Sequence, residues 1–340
     1  MKNKYFEILN STKPDERTSL NSVLVVDGLN LFLRAFCMIN HVNPEGHHIG
    51  GVTGSLKSLG YAIKLLAPTK VIVVFDGTGG ANARKNLYPG YKANRNVNRL
   101  TNYSIFRSKE EEVESIKNQV ARLIQYLQCL PLTVVSIEGL EADDIIGYLT
   151  QRFESFDETK EVNIMSADQD FLQLVTDKVR VYSPVKKKIY TKKLVLEEYG
   201  VTSTNFINYK VLMGDKSDNI PGISGLGPVK ALKLFPELLS EIRITVDDMI
   251  SKAADNIDSN KLYLSVVERR HQLSINQQIM SLGGDFLSPE NKEIIKSAFN
   301  SSYELNKYMF NQLYINDLLG ESIPNTDRWL TDIFAYLDSF

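Results

Sequence analysis

The residue order predicts an α/β protein: a mainly parallel central sheet with flanking helices, joined to a helical domain that carries a helix–hairpin–helix motif. Three observations support this. Short apolar runs, Val23–Asp27 (VLVVD), Val71–Asp76 (VIVVFD), Thr133–Ile137 and the run opening at Val162 (VNIM), alternate with segments of helical period. Their continuous apolar character suits strands buried on both faces of a parallel sheet. Each run leads into carboxylates: Asp27, Asp76, the turn Glu141-Ala142-Asp143-Asp144, and Asp168 with Asp170. The carboxyl ends of such strands are where open α/β sheets bind ligands.

Residues 1–20 lack the apolar core of a signal segment and read as a tail or an added surface strand. After the first strand and the Gly28 turn, GLNLFLRAF is helical. Asn40–Gly54 is expected to be a loop. It holds His41, His47 and His48 without ligand-like spacing, so a solvated loop is the reading. A helix over Ser55–Leu66 ends before Pro68. Another helix is predicted from Glu141 to about Phe156, and a strand pair at Val179–Tyr182 and Lys188–Tyr190. This alternation makes 21–200 an α/β domain, with a basic stretch at 77–110. From Thr202 the pattern changes to helices, beginning with Phe206–Met213, which gives a helical domain over 201–319 with its hairpin at 214–235. Gly320–Asp327 reads as a linker before an amphipathic segment, Arg328–Phe340, within a C-terminal piece 320–340.

The 340 residues are 43% hydrophobic and 24% charged, an ordinary globular balance. No apolar run reaches bilayer length, so no membrane partner is expected. Cys37 and Cys129 have neither metal nor disulfide spacing, which fits a reducing, cytoplasmic setting. The net charge of −2 is unevenly spread: Gly77 to Lys109 contains no acid but includes Arg84, Lys85, Lys92, Arg95, Arg99, Arg107 and Lys109.

Asp168 and Asp170, two apart on a strand end, are expected to point the same way. Glu141 and Asp144, three apart, would share a helix face. Each acid has a plainer reading: Glu141–Asp144 can serve the helix dipole, and Asp27 and Asp76 can be turn residues before glycine. Together they outweigh it, because close like charges call for cations between them. With Asp215 and Asp218 the all-oxygen set suits Mg²⁺ or Mn²⁺ rather than Zn²⁺. Two such ions roughly 3.5–4 Å apart activate water and stabilise the leaving oxygen of a phosphodiester.

Pro221–Phe235 (PGISGLGPVKALKLF) lacks phosphate-loop spacing and reads as a helix–hairpin–helix turn, with Gly222, Gly225 and Gly227 exposing backbone and Lys230 and Lys233 adding charge. In Arg84–Arg99, cations interleave with Tyr88 and Tyr91, so Arg84, Lys85, Tyr91 and Arg99 are candidate DNA contacts.

VVDGLN, VVFDG, ARKNLYPGYKANR, GLEADDIIGYL, SADQDFLQLV and LMGDKSDNIPGISGLGPVKALKLF, in this order over about Val23–Phe235, resemble the 5′ nuclease family. Its members include bacteriophage 5′–3′ exonucleases (one called RNase H), flap endonucleases and the 5′-nuclease domain of bacterial DNA polymerase I. The resemblance implies that 21–200 is catalytic and 201–319 binds DNA, with a two-metal site from Asp27, Asp76, Glu141, Asp143, Asp144, Asp168, Asp170, Asp215 and Asp218, and with Lys92 and Arg95, on a basic arch at 77–110, engaging the scissile phosphate. It further implies a hairpin that grips duplex DNA and holds K⁺ through backbone carbonyls. No polymerase region follows, which favours the free-standing phage type, a monomer in the infected bacterial cell that removes RNA primers and flaps from DNA and RNA–DNA with 5′ single-strand/duplex junctions. The rival readings are a PIN-type ribonuclease and a non-catalytic DNA-junction-binding protein. The stripe Trp329, Ile333, Phe334, Leu337, Phe340 either packs on its own domain or docks a single-strand binding protein or sliding clamp.

Overall fold

The computed structural model describes residues 21–94, 101–155, 159–301 and 303–339. The leader 1–20, Arg95, Arg99 and Phe340 lie outside them. Six strands, β1 (Asn21–Asp27), β2 (Lys70–Phe75), β3 (Thr133–Ser136), β4 (Thr159–Met165), β5 (Val179–Ser183) and β6 (Lys188–Tyr190), form one sheet in the order β3-β2-β1-β4-β5-β6. The first five strands run parallel, and β6 returns antiparallel to β5. Around the sheet lie α1 (Gly28–Met38), α2 (Gly50–Leu66), α3 (Asn82–Leu87), α4 (Lys109–Leu127), α5 (Ala142–Glu154) and α6 (Lys192–Tyr199). The later helices are α7 (Phe206–Met213), α8 (Pro228–Leu234), α9 (Val246–Asp255), α10 (Lys261–Glu268), α11 (Arg270–Met280), α12 (Pro289–Asn300), α13 (Lys307–Asn316) and α14 (Thr326–Phe334).

Alternation along the strands builds two cores. Val23, Val25, Ile72, Val74, Val162 and Ile164 face α5, and this core continues into the helical unit through Phe206, Leu212, Phe235, Val266 and Leu273. Leu24, Val26, Val71, Val73 and Phe75 face the opposite core, built with α1, α2, α4, α13 and α14. The shared first core holds the helical unit against the sheet.

Helix α2 begins five residues earlier than the predicted Ser55. Glycines at 50, 51 and 54 lower helix propensity, but here they let α2 lie close to α1. A Cβ at Gly50 would sit 1.8 Å from the Ile39 carbonyl oxygen, and one at Gly51 2.5 Å from the Phe32 ring. The histidine loop is only partly solvated: His48 is buried, its Nε2 2.7 Å from the Ile39 carbonyl and its Nδ1 3.1 Å from the Gln119 amide.

The C-terminal stripe is covered by the chain's own domain. Leu330, Ile333 and Phe334 are buried in the second core, and Trp329 lies where a Cβ on Gly60 would come within 2.8 Å of its ring. Of the two readings of that stripe, packing on the chain's own domain is the one its buried residues support. Phe334→Ala is expected to cost about 3–5 kcal/mol in denaturant unfolding, as for other buried aromatics, and removal of 326–340 to destabilise the whole chain. Among the described residues, no helix is long and apolar enough to cross a membrane.

Candidate active site

The chain builds β1, β2 and β3 in one direction across the sheet, then places β4 on the other side of β1. The ends of β1 and β4 thus form the switch point at which open α/β sheets open a crevice. Asp27, at the end of β1, caps α1: its Oδ1 accepts the Asn30 N–H at 3.0 Å and its Oδ2 accepts the Ser166 hydroxyl at 3.0 Å. Asn30 in turn accepts the Ala167 N–H through Oδ1, tying the two strand ends together. Next door, Asp76 Oδ1 accepts the Ala142 N–H at 2.7 Å and so anchors the first turn of α5, which carries Asp143 and Asp144 behind its N-cap Glu141.

Asp168 and Asp170 lie beyond the strand, so the alternation argument does not apply to them, although Asp168 still acts on Asp170 as a close like charge. β4 ends at Met165, and a 3₁₀ turn starts at Gln169. Asp168 caps that turn, accepting the Asp170 N–H at 2.8 Å, whereas Asp170 Oδ1 lies 2.7 Å from Lys210 Nζ. The same ammonium donates to Asp215 Oδ2 at 2.6 Å, while Asp215 Oδ1 accepts from Ser217. Asp218 is buried beside them.

The basic segment splits into three. Lys92, in a left-handed backbone conformation, donates its N–H to the Asp218 carbonyl, and its ammonium pairs with Glu141 Oε1. Asn219 Nδ2 on the Gly90 carbonyl secures this segment to the loop after Asp215. Arg84 and Tyr91 are corrections. Arg84 is 2% exposed, bidentate to Asp144 at 2.7 and 2.8 Å, and 2.9 Å from Glu141; its Nε donates to the Ile279 carbonyl of α11, with the Phe286 ring stacked alongside. Tyr91 is buried, its hydroxyl on Glu141 Oε2. Neither is placed to stack on a base or reach a phosphate: the two residues offered as nucleic-acid contacts are buried, Arg84 neutralising Asp144 and Glu141 and Tyr91 donating to Glu141. Lys85 is exposed on α3.

Burial and mutual repulsion dominate the electrostatics. Desolvation, then Asp76 and Asp168, push Asp27 up to about 7 against the hydrogen bonds from Asn30 and Ser166. Asp143 is raised well above the carboxylate range by burial, then Asp27 and Asp168. Asp170 rises to about 7 through burial and Asp168, with Lys210 opposing. For Glu141, burial is overcome by Lys92 and Arg84, which hold it low. Among the described residues no three carboxylates yet converge as metal ligands. The donor set nevertheless fits a hard divalent ion, since Asp27 and Asp143, both raised by burial and by neighbouring carboxylates, would be relieved by positive charge between them. An acid whose proton affinity rises on folding stabilises the protonated side, so that contribution is whole below about pH 4 and lost as pH climbs through 7. Thermal melts in EDTA should therefore show a less stable chain at pH 8 than at pH 5, with Mg²⁺ narrowing the gap.

The hairpin leaves α7 through a two-stranded pair, β7 (Gly214–Asp215) and β8 (Ile220–Pro221). Its backbone is tight: a Cβ on Gly222 would lie 2.2 Å from the Met213 carbonyl oxygen. Gly225 is left-handed, Gly227 caps α8, and Lys230 donates to the Gly225 carbonyl at 3.0 Å; Lys230 and Lys233 are both exposed. Sequence reasoning missed Asn30, Ser166 and Lys210. The first two sit inside motifs already noted, VVDGLN and SADQDF, where polar residues flank the acids. Lys210 gave no signal, as its partners come from distant segments.

Residues 22–200 match the 5′-3′ exonuclease N-terminal resolvase-like domain, and 201–298 match the 5′-3′ exonuclease C-terminal SAM fold. A 5′-3′ exonuclease of Bacillus subtilis is 35% identical over 229 residues, 64% of this chain and 70% of the relative. The thermostable DNA polymerase I of Thermus filiformis is 32% identical over 267 residues, 76% of this chain but 30% of the polymerase. The solved structure of the T5 D15 protein with metal ions superposes with a TM-score of 0.63 at 21% identity, covering 88% of this chain and 98% of that one. The chain belongs to the 5′-3′ exonuclease family and is a 5′ nuclease, a phosphodiester hydrolase.

Proposed function

We propose that the chain is a divalent-metal-dependent, structure-specific 5′ nuclease that hydrolyses phosphodiesters near 5′ ends at single-strand/duplex junctions, acting as a monomer to remove RNA primers and flaps during phage DNA replication. The carrying observation is the carboxylate cluster at the sheet's switch point, with the arch base and the hairpin loop bound to each other at its rim. Asp27, Asp76, Asp143 and Asp168 would hold one ion, and Asp170, Asp215 and Asp218 a second, while Glu141 and Asp144, also read as ligands from the resemblance, are engaged by Lys92 and Arg84 and would join the set only on releasing them. When bound, Mg²⁺, or Mn²⁺ in its place, supplies a nucleophilic water at neutral pH and neutralises the leaving oxygen.

The chain's own residues do the rest. Lys92 would move from Glu141 toward the scissile phosphate as charge builds there, and Arg95, outside the described residues, is proposed to share that role. Lys85, Arg99, Lys230 and Lys233 attract the backbone, and Gly222, Gly225 and Gly227 let it approach closely. K⁺ is proposed at the hairpin through its backbone carbonyls, in competition with the Lys230 ammonium that the Gly225 carbonyl now accepts. The T5 relative, whose structures include one with DNA and metal ions, and the Rad2 catalytic core, solved with DNA substrate at a TM-score of 0.51, lend support.

The test uses a 5′-labelled flap, a nicked duplex, an RNA-primed strand and single-stranded RNA, each with Mg²⁺ or EDTA. Short 5′ products from the junction substrates in Mg²⁺ alone are expected. Cleavage confined to single-stranded RNA, or tight binding without cleavage, would refute the proposal.

A further inference from the structure

We infer that Lys210 holds the place of one divalent cation: its ammonium is a built-in counter-ion of the Asp170–Asp215 pair that an incoming ion must displace. The inference rests on the nuclease reading above. Lys210 lies in the last turn of α7 with its side chain 14% exposed, and Nζ sits between two oxygens, 2.7 Å from Asp170 Oδ1 and 2.6 Å from Asp215 Oδ2. The other Asp215 oxygen is taken by the Ser217 N–H and hydroxyl, so Oδ2 is the atom left to face a cation. An ammonium and a divalent ion cannot share that gap, since a bound ion would approach the same oxygens to about 2.1 Å.

The two halves of the cluster therefore differ. Among the described residues, Asp27, Asp143 and Asp168 have no ion-pair partner, because Arg84 and Lys92 are committed to Asp144 and Glu141. That half attracts an ion directly, whereas the Asp170–Asp215 half must first give up Lys210. A groove lined by Asn30, Asp168, Tyr209, Lys210, Asp215 and Ser217 opens beside the ammonium and gives it room to swing. A substrate phosphate in that groove would offer it a new partner, so nucleic acid and the second ion would bind with positive coupling.

Mn²⁺ titrations without nucleic acid, followed by electron paramagnetic resonance and calorimetry, test this. Wild type should bind one ion strongly and a second weakly. Lys210→Met should tighten the weak site about tenfold or more, Lys210→Arg should leave it weak, and Lys210→Met/Asp215→Asn should lose the gain. An unchanged or weaker second site in Lys210→Met would overturn the inference. Should that variant not fold, ¹⁵N-lysine NMR of wild type decides: saturating Mg²⁺ should shift the Lys210 ammonium signal, and an unmoved signal overturns the inference. Two sites of equal strength in both chains would sink the Lys210 inference alone. No binding in either chain would sink the nuclease reading with it.

Discussion

Asp27→Asn is expected to lower kcat at least about a thousandfold while making the metal-free chain more stable at pH 8. Both effects have one origin. Burial, Asp76 and Asp168 raise the Asp27 carboxyl to about 7, so ionising it above neutrality opposes folding by an amount on the order of 2–4 kcal/mol. Asparagine removes that charge and keeps the cap, since its amide oxygen still accepts the Asn30 N–H and its amide group can donate to Ser166. The charge that opposes folding in EDTA is what a cation requires. Melting curves in EDTA and single-turnover cleavage in Mg²⁺ check the two halves. A variant that is less stable at pH 8, or that cleaves at wild-type rate, contradicts the account.

Arg84→Met should cost about 3–5 kcal/mol of stability, because it leaves Asp144 and much of Glu141 buried without a counter-charge. It also severs the link from α3 to the Ile279 carbonyl of α11. The prediction separates two roles for neighbouring cations. Arg84 should act through unfolding free energy, read in denaturant, with the surviving folded fraction binding duplex nearly as wild type does. Lys85, exposed one residue away, should act the other way: Lys85→Ala keeps stability within about 0.5 kcal/mol and reduces the salt dependence of nucleic-acid binding. Reversal of the two outcomes would restore Arg84 as a surface contact.

The strands and their terminal acids were legible because a buried parallel strand has a local signature, and Asp27, Asp76, Glu141, Asp143 and Asp168 sit where such strands end. What could not be read locally depends on distant partners. Arg84 reads as one more cation in an acid-free stretch until Asp144 and Ile279 close around it. Lys210 acquires meaning only when a turn after β4 and a loop after α7 meet at its ammonium. The α2 start was hidden because glycine's helix penalty is visible in sequence, whereas the close packing on Phe32 and Ile39 that offsets it is not. The apolar stripe of α14 was correctly seen as a stripe; only the fold shows that Gly60 makes room for Trp329 and so closes it.

The most direct test compares wild type with Asp168→Asn/Asp170→Asn on a 5′-end-labelled flap in Mg²⁺, with duplex binding measured alongside. The account predicts short 5′ products from wild type only, and binding by the double variant within a few-fold of wild type, because the groups proposed to grip the backbone lie on the arch and the hairpin. Cleavage that survives in the double variant, or is equal in EDTA, would contradict a reaction run from this carboxylate cluster.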